Sequence, residues 1–123
     1  MFEEVNGRWM INHNGKYYFL KINLERCRII EKVLNKPFLA AMAENSGVFK
    51  INDAQAIFEL CLKEENADGY CGKGLADEIF NEALMSDNGY ANVCNLIALA
   101  ANEDCPFLFP NPSSGSIISE QKK

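Results

Sequence analysis

The sequence predicts an α+β domain, mainly α, in which an N-terminal β-hairpin packs on a bundle of about four to five short helices. Three observations point there. Apolar and aromatic runs flank Asn14-Gly15, and two-residue hairpin turns favour such a pair because both residues tolerate positive φ. From Asn23 onward the apolar residues recur at intervals of three and four, the helical period. Polar breaks bearing glycine or proline then divide the helical stretch into short segments.

The hairpin is expected over residues 8–22, with Trp9 to Ile11 and Tyr17 to Ile22 as its two strands. Asn23 is placed to cap the first helix, its side-chain oxygen accepting from first-turn N–H groups. Leu24, Cys27, Ile30 and Leu34 form the stripe of that helix, about residues 24–34. Lys36-Pro37 disfavours helix at Lys36 and can start a new one, so a short second helix is expected over 37–45, ending near Ser46-Gly47.

Asn52 precedes a run whose apolar face is Ala54, Ile57, Phe58 and Cys61, giving a third helix over 52–65. After the polar loop Glu64 to Gly69, the residues Leu75, Ile79, Phe80, Ala83 and Leu84 trace a fourth helix over 73–86. The Ser86-Asp87-Asn88-Gly89 break leads to a fifth helix, 90–102, with Tyr90, Val93, Cys94, Ile97 and Ala101 on one stripe and Leu96 and Leu99 broadening it. Apolar residues over so much of the circumference mark it as the most central helix. One domain is therefore expected over residues 1–104, with 105–123 a flexible C-terminal tail rich in proline and serine.

Composition excludes several classes of function. Seventeen acidic against 12 basic residues leave a net charge of −5, and the resulting field repels nucleic-acid phosphates and anionic membranes. No apolar run approaches the roughly eighteen residues of a membrane span, and MFEEVNGRW lacks the basic start and apolar core of a secretion signal. A cytoplasmic protein is the expectation. The five cysteines contain no CxxC pair and lie far from the single histidine, His13, so no metal site is expected; Cys27, Cys61 and Cys94 fall on helix stripes as small hydrophobes.

Catalytic signatures are equally missing from this reading. His13 sits in the hairpin turn, where a solvent-exposed role is expected and no nucleophile accompanies it. Glu59, Glu64, Glu65, Asp77, Glu78 and Glu82 read as the solvated face of two helices, with Glu78 and Glu82 a like-charge i, i+4 pair. Gly69, Gly72, Lys73 and Gly74 match no phosphate-loop spacing. The expectation is a binding protein without enzyme activity or cofactor.

The order of elements resembles the tail assembly chaperones of long-tailed bacteriophages and gene transfer agents. The resemblance runs from Gly7 to about Asn102, on NGKYYFLKINLERCRIIEKVLNKPFLAAM, INDAQAIFELCL, GLADEIFNEALMSDNGY and NVCNLIALAANE. It implies a small helical protein that keeps the hydrophobic tape measure protein soluble while the tail tube polymerises around it, and that is absent from the mature virion. The tape measure protein is thus the expected partner, with the tail tube protein a second candidate. The other reading is a small helical adaptor or regulatory protein of prophage origin that binds a different protein.

Residues for such contacts follow from unpartnered apolar positions. Phe38, Leu39 and Met42 on the short second helix are candidate partner contacts, since an edge helix with an adaptable methionine can repack against varied segments. Phe107, Leu108 and Phe109 are a second candidate motif, the alternative being that they fold back onto the bundle. Tyr17 and Phe19 point to one face of the hairpin and Tyr18 and Leu20 to the other, which suggests a homo-oligomer formed through one of these faces.

Overall fold

A computed structural model describes residues 1–109; the expected tail beyond Phe109 lies outside the described residues. The N-terminal element is larger than a hairpin. Strands β1 (Phe2–Val5), β2 (Arg8–His13), β3 (Lys16–Leu20) and β4 (Leu62–Glu64) form one antiparallel sheet in the order β1-β2-β3-β4. Helices α1 (Leu24–Leu34), α2 (Phe38–Ala43), α3 (Ile51–Cys61), α4 (Lys73–Met85) and α5 (Gly89–Asp104) complete the fold, so the class is α+β and mainly α.

Both tight turns of the sheet use the same device. Asn6 and Gly7 have φ of 53° and 82°, and Asn14 and Gly15 repeat those values, the two positive φ angles that match the twist of paired strands. The second turn is the expected one. The first was hidden because FEEV does not alternate as a half-buried strand does: Phe2 stacks on Trp9 with ring centroids 5.9 Å apart, while Glu3 accepts hydrogen bonds from Asn12 (3.1 Å) and Tyr17 (3.2 Å).

Strand β4 corrects the expected third helix, which stops at Cys61 and not at residue 65. Leu62 turns extended at ψ 134°, and its buried side chain lies across from Leu20. Lys21 N–H donates to the Cys61 carbonyl (2.9 Å) and Glu65 N–H to the Tyr17 carbonyl (2.9 Å). These bonds satisfy the open edge of β3, which outweighs the helical preference of Lys63 and Glu64. The helix begins at Ile51, with Lys50 at its N-cap, so Asn52 lies in its first turn.

Helix α1 matches its expected span, with the Asn23 side chain accepting from Arg26 N–H at 2.8 Å. Helix α2 follows directly, and Glu31 of α1 accepts from Phe38 N–H at 2.7 Å, tying the two together. It ends at Ala43 and continues as a 3₁₀ turn over Glu44–Gly47. The core gathers the stripes of α1, α3, α4 and α5 beneath the sheet, with Phe58 and Phe80 edge to face at 5.1 Å. Packing also continues past Asp104, the expected domain end: Cys105 is fully buried, and Leu108 and Phe109 rest against the core. No helix among the described residues is long and apolar enough to cross a membrane.

Candidate functional site

A groove of about 460 Å³ opens between the β1–β2 turn and α5. Trp9, Leu96, Leu99 and Ala100 supply its apolar wall, and Glu4, Arg8 and Glu103 its polar rim. Helix α5 presents this wall because its apolar residues exceed a single stripe. Leu96 turns into the core, whereas Leu99 is 51% exposed. Arg8 bridges the rim, pairing with Glu103 at 2.9 Å and lying over the Phe19 ring at 4.5 Å. The Trp9 indole Nε1 is buried without an acceptor among the described residues, a state that carries a desolvation cost unless a further group supplies one.

The residues expected at contacts are distributed differently. Phe38 is wholly buried and belongs to the core, leaving Leu39 (41% exposed) and half-buried Met42 as the accessible part of α2. Phe107 points outward, while Leu108 and Phe109 pack back on the bundle. In the sheet, Tyr18 and Leu20 enter the core. Phe19 lies on the outer face under Arg8 and Lys63, and Tyr17 there bonds Glu3. Neither face of the hairpin is thus left as an open apolar surface.

Two polar clusters form on the expected solvated face, where Glu78 and Glu82 are exposed and Glu59 and Asp77 are partly buried. Lys73 Nζ stands 2.8 Å from Asp77 and 3.4 Å from Glu59, and Gln55 donates to Asp77 at 3.1 Å, joining α3 to α4. The Asp77 carboxyl is held down to about 2, first by hydrogen bonding with Glu59 and then by Lys73 and Gln55. Glu59 is pushed up, mainly by its hydrogen bond with Asp77 and then by burial. This lysine, which gave the glycine-rich stretch its positive charge, is therefore occupied by carboxylates.

The second cluster corrects the reading of His13, which is only 5% exposed. It ends β2 on the same face as Trp9 and Ile11, so strand parity directs it inward beside α4. Its Nδ1 lies 3.0 Å from Glu82 and its Nε2 3.2 Å from Glu78.

The buried thiols are inert by contrast. Burial pushes the Cys61 and Cys105 thiols up to about 12, the opposite of what nucleophilic or metal-binding cysteines need.

Sequence reasoning missed the groove. Its signals were the Asn6-Gly7 pair, which sets Trp9 opposite α5, and the breadth of the α5 apolar surface, which reflects a groove wall as well as central burial. No protein-family model, characterised protein or solved structure matches this chain.

Proposed function

We propose that this chain is a non-enzymatic tail assembly chaperone, which binds the tape measure protein in the cytoplasm of a bacterial host and is released before the virion is complete. The groove beside α5 is the observation that carries this reading. A holding protein must offer apolar surface to a partner while remaining folded itself, and a preformed groove does so without exposing the core. Leu99 and Trp9 would receive the apolar stripe of a partner helix, and Glu4 and Glu103 would face its polar flank. Leu39 and Met42 on α2 offer a second, smaller contact. The resemblance in element order supports the same reading.

The test is co-expression with a fragment of the tape measure protein that is insoluble alone. Wild-type chain is expected to hold the fragment in the soluble fraction, and Leu99→Glu to lose it while retaining its own melting temperature. Burial of one leucine contributes about 1.5–3 kcal/mol, so the variant's affinity should fall by about tenfold or more. A fragment that stays insoluble with the wild-type chain would rule the reading out.

A further inference from the structure

The single histidine of the chain is buried between two glutamates of one helix, an arrangement the groove does not use. Glu78 and Glu82 stand one turn apart on α4 and bracket the ring, and one ligand atom from each of the three residues lies within 4.8 Å of the others. Tyr18 meets the ring edge-on with centroids 6.1 Å apart, which fixes its plane. Asn14, in the left-handed turn conformation, brings its amide nitrogen to 3.3 Å from Nε2, where its N–H can donate to a ring lone pair that an ion would take over.

A neutral imidazole carries one N–H, yet both ring nitrogens oppose carboxylate oxygens. With Nδ1–H donating to Glu82 Oε1 at 3.0 Å, Nε2 turns its lone pair toward Glu78 Oε2 at 3.2 Å. Two acceptors at that distance are reconciled by a positive centre, either a second ring proton, which makes the contact an ion pair, or a bound cation. We propose that the site takes a divalent transition-metal ion such as Zn²⁺, bound by His13 Nε2 and the Glu78 carboxylate, with Glu82 orienting the ring from behind. Carboxylate-to-histidine-to-metal order is how metal-ligating rings are commonly held. An imidazole nitrogen beside a carboxylate suits such ions better than Ca²⁺ or Mg²⁺. Glu78 and Glu82 are 56% and 49% exposed, so water has access to fill the remaining positions. The bound ion would fasten the β2–β3 turn to α4.

The test uses the full chain without a polyhistidine tag, titrated with zinc chloride. Because His13 is the only histidine, its imidazole NMR signals need no further assignment. Zinc is expected to shift Nε2 while Nδ1 keeps its proton, and to raise the melting temperature by mass action. Glu78→Gln should weaken binding about tenfold or more, and Glu82→Gln by about 10- to 100-fold. Both positions are well exposed, so the variants should keep the wild-type circular dichroism. Cys71→Ser should bind as wild type does. His13 signals that stay fixed at millimolar zinc, equal affinity in the glutamate variants, or loss of binding in Cys71→Ser would each overturn the proposal.

Discussion

At the scale of single residues, the packing constraints are sharper than composition suggests. A Cβ at Gly89 would stand 2.3 Å from the carbonyl oxygens of Ala83 and Leu84. Those atoms are backbone at the end of α4, so they cannot swing aside as a side chain would. Gly89→Ala should therefore destabilise the protein by about 1–3 kcal/mol or more, read from denaturant midpoints. Cys61 makes a different prediction. Its thiol is raised from the ordinary 9.0 to about 12 by burial, so above the unfolded value the unfolded chain sheds a proton that the native chain keeps. Stability from this group is full below pH 9 and falls as pH rises toward 12, by up to about 1.4 kcal/mol per pH unit. Denaturant midpoints between pH 8 and pH 10.5 should decline, and Cys61→Ala should flatten that decline. His13 was legible in outline, since Trp9, Ile11 and His13 share one strand parity; its neighbour Asn-Gly instead suggested an exposed turn.

At the scale of elements, what was readable depended on whether local and tertiary preferences agree. Helix α1 was legible from cap to end because Asn23 and the Leu24, Cys27, Ile30, Leu34 spacing act within one turn of each other. Strand β1 was not, because an edge strand needs only one apolar contact, Phe2 on Trp9, and its glutamates also guard the edge against further pairing. Strand β4 was less legible still. Leu62, Lys63 and Glu64 continue α3 by propensity, and only the vacant edge of β3, more than forty residues earlier, draws them into the sheet. If tertiary burial decides this conformation, Leu62 is its anchor. Leu62→Ala should cost about 2–5 kcal/mol, whereas Lys63→Ala, part of the outer face, should cost well under half as much. Chemical denaturation of the two variants side by side would check the contrast.

At the scale of the whole molecule, the sheet decides what the protein can offer to others. An isolated hairpin would have kept one apolar face for another subunit, which is why self-association through Tyr17 to Leu20 was expected from the sequence. The additional strands change that balance. Met10 and Phe19, on the outer face, are only 3% and 9% exposed, with the Arg8 guanidinium and the Lys63 ammonium lying over the Phe19 ring. Glu3 accepts from Asn12 and Tyr17 on the same face, and Cys71 N–H donates to the Leu62 carbonyl at 2.8 Å along the β4 edge. Apolar surface is thus withdrawn from the sheet face, while the groove beside α5 keeps Leu99 open. The chain of 13.8 kDa should accordingly sediment as a monomer at tens of micromolar. Arg8→Ala removes the guanidinium over Phe19 and the bridge to Glu103 together, uncovering apolar surface that water disfavours. Its sedimentation coefficient should rise with concentration, while that of the wild-type chain stays flat. A wild-type dimer at the same concentration would mean that the β1 edge or the groove, and not the outer face, joins the subunits, and Leu99→Glu would separate those two routes.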